Sequence, residues 1–123
     1  MGVVFDTADY LTAFPDLALY PGHVLFREPF TKASYKNWDK ARRLLPKTDP
    51  RDVDNSPFLR SWRAAVTLVA EWQIEGVDFR RDVKRSDGEG VPLVLVSWLE
   101  EAAGLFLARR LDLKKVLGLS GNS

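Results

Sequence analysis

The chain contains no cysteine and only one histidine, His23. Without thiols there is neither a disulfide nor a thiolate metal site. A lone imidazole with no carboxylate partner close in sequence reads as structural rather than catalytic. Long apolar runs are also missing. The longest, such as 91 to 96, fall far short of the roughly 20 residues that span a bilayer. Neither sign of charge is in excess: 18 Lys and Arg stand against 17 Asp and Glu, a net charge of +1. That balance gives no bulk attraction to nucleic acid or anionic lipid, so neither is expected as a partner, and any such contact has to be a local patch. The N-terminus carries no basic region followed by an apolar stretch, and Asp6 occupies the position where a myristoylation motif needs Ser or Thr. A cytoplasmic location is expected.

Catalytic chemistry finds little support. Glu100 and Glu101 sit side by side on the outer side of a helical pattern, where carboxylates ordinarily just solvate a helix. The acids between 49 and 54 fall among turn formers. No His/Asp/Glu spacing matches a metal site, no serine sits in a nucleophile-elbow sequence, and the Asp87-Gly88-Glu89-Gly90 stretch lacks the lysine and glycine spacing of a phosphate loop. No enzyme activity, cofactor or metal is expected.

What is present is a chain of 123 residues, 46% hydrophobic and 28% charged, the size of one domain with one core. Residues 1 to 30 read as a short extended lead-in, because Pro15, Pro21 and Pro29 exclude a long helix. Asp6 or Thr7 can cap a helical turn or two through Phe14. Segments 17 to 20 and 23 to 27 flank Pro21-Gly22 as a small hairpin, with a looser connection than a tight hairpin turn.

From Thr31 the pattern turns helical. Thr31 is an N-cap candidate, Tyr35, Trp38, Ala41 and Leu45 repeat on one face, and Pro46 stops the run, predicting a helix over 31 to 45. Lys32, Lys36, Lys40 and Arg43 make a basic stripe opposite, either a solvated face or a phosphate-binding surface. Residues 46 to 56 are turn formers and predict a surface loop. Ser56-Pro57 then reads as N-cap and N1, and Gly76 as the C′ glycine of a helix over 57 to 75. Phe58, Trp62, Ala65, Val66, Val69 and Trp72 form its apolar arc, with Gln73 inside that arc near the end. There Gln73 either satisfies a backbone group or marks where the arc faces another chain.

Residues 77 to 90 form a connection bearing Arg80, Arg81, Lys84 and Arg85, either a charged surface loop or a partner contact. Pro92 opens a third helix over 92 to 110, whose very broad apolar arc holds Leu95, Trp98, Leu99, Ala102, Ala103, Leu105, Phe106 and Leu107. On its outer side Ser97, Gly104 and Ala108 are all small, so another backbone can approach closely. An interior helical glycine costs about 1 kcal/mol against alanine, and close packing can offset that. The candidates to cover this face are the tail, the helix from Thr31 and a second copy. In the tail, 111 to 123, Asp112 can cap a small helix presenting Leu113, Val116 and Leu117, which either completes the core or docks on a partner. Trp62, Trp72 and Trp98 read as core, and Trp38 lies nearer an edge. The fold class expected is therefore all-α: a single domain, 1 to 123, with three principal helices in a small bundle, an extended N-terminal segment and a small C-terminal helix. Arcs this broad also lead us to expect self-association.

The order of features from Pro21 to Arg110 resembles that of the small tail assembly chaperones encoded in tailed-phage structural operons. The lead-in PGHVLFREPFT is followed by a tryptophan helix, then by WRAAVTLVAEWQIEGVDF and VPLVLVSWLEEAAGLFL. The resemblance implies a small, mainly helical, non-enzymatic protein that coats a long tape measure protein until tail tube subunits replace it. Chaperones of this family often have a longer frameshifted product, and Lys114-Lys115 is compatible with a slippery run of codons. Broad apolar arcs suit such a client by helix-in-groove contacts. A small protein that binds a host enzyme through Arg80, Arg81, Lys84 and Arg85, or a minor virion component, are the alternative expectations.

Overall fold

A computed structural model describes residues 2–43, 57–85 and 89–110; for 57–59 and 85 the description is of the backbone alone. Among these residues, three strands and three α-helices form the frame. Strands β1 (Gly2–Asp6), β2 (Gly22–Arg27) and β3 (Val69–Ile74) make an antiparallel sheet in the order β1-β2-β3. Helices α1 (Lys32–Arg42), α2 (Pro57–Val66) and α3 (Leu93–Arg110) complete it.

The expected all-α bundle is thus corrected to a mixed α/β architecture, and the correction lies in two places. First, the helix expected over 57 to 75 stops at Val66, and Val69–Ile74 is the third strand. Val24 pairs with Trp72 and Leu25 with Glu71, but Phe26 pairs with Val69, so β3 carries one extra residue, Ala70, opposite that step. This bulge places Val69 and Trp72, three residues apart, both in the core. A strand normally alternates with period 2; the inserted residue converts its inward positions to the i, i+3 spacing of a helix. The switch itself occurs at Thr67, whose hydroxyl donates to the Ala64 carbonyl at 2.6 Å. From Leu68 onward, pairing with β2 satisfies the backbone that helix would otherwise have used: Arg27 N–H donates to the Leu68 carbonyl at 2.9 Å. Gly76 does adopt a left-handed φ of 85°, but it turns the chain at the end of a strand rather than a helix.

Second, the hairpin expected around Pro21-Gly22 is absent. Residues 15–19 form a 3-10 turn, and β2 pairs with β1 on one side and β3 on the other. Asp6 caps the turn Thr7–Tyr10, accepting from Ala8 N–H at 2.8 Å. The buried Thr7 hydroxyl donates to the Tyr20 carbonyl at 3.2 Å, fastening the crossover between β1 and β2. Gly22 has φ 150°, and a β-carbon there would lie 2.0 Å from the Gln73 carbonyl oxygen, so only glycine lets β2 and β3 approach here.

The helix expected over 31 to 45 is met by α1 as far as Arg42, with Thr31 accepting from Ser34 N–H at 3.1 Å as its N-cap, while the Pro46 stop, the loop over 46 to 56 and the Ser56 cap lie outside the described residues. The third meets α3, entered through Pro92. Residues 79–85, expected to be loop, form one wide π-helical turn. On the inner face of the sheet Val24 and Phe26 are fully buried, and α3 lies against them: Phe106 meets Phe26 at 5.2 Å between ring centroids and Phe30 at 5.9 Å. Trp62 of α2 and Trp98 of α3 lie in the same core. Helix α1 packs on α2, and α2 on α3. The other face of the sheet, with Val4, His23, Glu71 and Gln73, is turned outward.

Candidate protein-docking groove

Open space lies along the outward side of α3 and, as a separate hollow of about 480 Å³, at the end of β3, lined by Pro21, Trp72, Gln73, Glu75, Asp78 and Phe79. Leu95, Leu99, Ala102 and Phe106 commit one side of this helix to the core, at zero exposure. The residues a half-turn away, Ser97, Glu101, Gly104 and Ala108, recur at intervals of four, three and four, which keeps them on one line. Two hollows flank that line. The larger, about 420 Å³ and open, is lined by Phe14, Ser97, Glu100, Glu101, Gly104 and Leu105. The smaller, about 180 Å³, lies between α1, α2 and α3, with Trp38 and Arg42 on one wall, Ser61 and Ala64 on another and Glu100, Gly104 and Leu107 below. Glu100 and Gly104 line both, so the two hollows adjoin across α3 as the two parts of a groove. A β-carbon placed on Gly104 would meet nothing within 4 Å: its smallness serves no contact among the described residues.

The electrostatics of the groove are one-sided. Glu100 is pushed above the usual carboxylate range by burial, offset in part by a hydrogen bond from Ser61. Arg42 reaches the smaller hollow but is already engaged, donating to Asp39 at 2.6 Å and lying over the Trp38 ring at 4.9 Å. Asp39 is held below its usual range by the hydrogen bond from Arg42 first, with that from Arg43 adding to it.

The structure brings Trp38, Ser97 and Gly104 to this one groove, and Ala108 follows one turn on, exposed. Gln73 is placed elsewhere. It sits on the outer face of the sheet beside His23, because β3 is a strand and not the end of a helix. There His23 Nε2 lies 3.8 Å from the Glu71 carboxylate, and both side chains are substantially exposed. Leu113, Val116 and Leu117 fall outside the described residues. The basic contact is distributed around the π-helical turn, and two of its four side chains have partners within that turn. Arg81 donates to Asp82 at 2.9 Å and Lys84 lies over the Phe79 ring at 5.6 Å, while Arg80 is exposed. Arg85 is described by its backbone alone.

Sequence reasoning missed Phe14, Arg42, Ser61, Glu100 and Glu101 as parts of a groove, and it placed Leu105 in the apolar arc of the third helix, whereas Leu105 is 42% exposed and lines the larger hollow. A signal existed for two of them: Glu101 interrupts the Ser97, Gly104, Ala108 line, and Glu100 stands four residues before Gly104. Phe14, Arg42 and Ser61 come from other elements, so only tertiary packing brings them here.

Among the described residues no group of three or more His, Asp or Glu side chains is placed to hold a metal ion. No helix among them is long and apolar enough to cross a membrane. Compared with family models, with curated proteins and with solved structures, the chain finds no match.

Proposed function

We propose that this protein is a non-enzymatic assembly chaperone that binds helical segments of a long protein client, the tape measure protein of a tailed phage. The observation that carries the reading is the open face of α3: an interior glycine whose β-carbon would meet nothing within 4 Å among the described residues, in a groove walled by Trp38, Phe14 and Leu105. An exposed Gly inside a helix is unfavourable by about 0.5–1 kcal/mol against Ala. A partner backbone seated against it is a reason to keep one. Helix-in-groove binding along a long client repeats one modest contact many times, which gives high occupancy and still permits displacement.

Co-expression with a tape measure protein tests this. The chaperone in several-fold excess is expected to keep that client soluble and to co-purify with it, and Gly104→Leu is expected to abolish both while the variant stays folded. A client that remains insoluble with the unaltered protein would end the reading.

A further inference from the structure

The groove contains a charge that no cation among the described residues answers. Glu100 stands where the two hollows meet, partly buried, and receives a hydrogen bond from the neutral hydroxyl of Ser61. Arg42, the one cation among the described residues that line the smaller hollow, is held by Asp39 and stacked on Trp38. The larger hollow adds a second carboxylate, Glu101, and its other described walls, Phe14, Ser97, Gly104 and Leu105, carry no positive charge. Any occupant that covers this groove removes water from both carboxylates. A wholly apolar helix would do so without compensation, and stripping water from an unpaired charge is strongly unfavourable.

From this, and resting on the docking reading above, we infer that the groove selects a partner helix whose contact face is small or aliphatic but carries one Lys or Arg. The small residues seat over Gly104, the aliphatic ones against Leu105 and Trp38, and the cation lies between Glu100 and Glu101. The same carboxylates that admit this helix reject one bearing Asp or Glu at that position, so selection works by repulsion as well as attraction. A long stem suits the cation, since its methylenes pack on the apolar walls while its head reaches the carboxylates.

The test uses the whole chain and three synthetic helices of about 20 residues, long enough to hold helical structure alone. They share an alanine and leucine face and differ at one central position: Lys, norleucine or Glu. Titration is expected to rank them in that order, with Lys about five- to tenfold tighter than norleucine, the range for a partly shielded ion pair. Glu100→Gln combined with Glu101→Gln should erase the difference between Lys and norleucine, leave the fold intact by circular dichroism, and improve binding of the Glu peptide. Equal affinities for the three peptides, or a ranking unchanged by the double substitution, would overturn the inference. So would a dimer of the chain alone that the double substitution dissolves, since a second copy would then be the occupant. The two readings fail separately. If Gly104→Leu blocks client rescue but the glutamate variants do not discriminate between peptides any differently from the unaltered chain, docking stands and charge selection falls. If no client is rescued at all, peptide discrimination still decides the selectivity of the groove.

Discussion

The Arg110 guanidinium donates from Nε to a carboxylate oxygen of Glu28 at 2.6 Å, across 82 residues of sequence, and lies over the Phe106 ring at 4.1 Å from its centroid. The last turn of α3 is thereby tied to the corner that follows β2. Glu28 is held below its usual range, chiefly by that hydrogen bond. Position and stacking both matter, so a point charge is a poor replacement for the planar fork. Arg110→Ala is expected to lower the melting temperature and Arg110→Lys to recover only part of the loss. High salt is expected to narrow the gap between the unaltered chain and the alanine variant. Thermal melts at two ionic strengths check this. Equal melting temperatures for all three proteins would show that the bridge contributes nothing.

Two glycines should respond to alanine in opposite directions. At Gly22 the added β-carbon meets the Gln73 carbonyl oxygen at 2.0 Å with φ at 150°, so β2 and β3 have to part, at a cost of more than about 2 kcal/mol. At Gly104 there is open space, and Gly104→Ala is expected to stabilise by about 0.5–1 kcal/mol through helix propensity. Urea unfolding of both variants measures the pair. A destabilised Gly104→Ala would mean that the groove face is already covered in the free protein.

The acid titration of stability should show two groups of opposite sign. Glu100 has its pKa raised by burial, so the folded state binds that proton more tightly than the unfolded chain does. Its effect on stability therefore becomes less favourable as pH climbs from the ordinary 4.5 through the raised value. Glu100→Gln should remove this loss and be the more stable form at pH 7. Asp82 is the reverse case. The Arg81 hydrogen bond, and then that of the Asp78 backbone N–H, bring it from 3.8 down to about 2, so its contribution is present above 3.8 and fades as pH falls towards 2. Asp82→Asn should flatten that acid limb. Unfolding midpoints between pH 2 and pH 8 separate the two, and a Glu100→Gln variant with an unchanged profile would contradict the assignment.

Several parts of this fold were legible in the residues themselves, because they depend on local chemistry. Thr31 opens α1 through its own hydroxyl, Pro92 leads into α3, and Asp6 caps the turn after β1. The small line Ser97, Gly104 and Ala108 followed from helical spacing, which needs nothing beyond the helix. What only the tertiary structure decided is the sheet. Whether 67 to 74 continues a helix or becomes β3 depends on β2 offering Val24 and Phe26 as partners, more than 40 residues away in sequence. The Ala70 bulge disguises the outcome, since it spaces Val69 and Trp72 as a helix would. The groove has the same origin. Glu100 is an ordinary surface carboxylate by sequence, and it becomes a partly buried charge facing a groove only when Trp38, Ser61 and Phe14 are folded around it. Desolvation is a property of surroundings, and those surroundings come from separate elements of the chain.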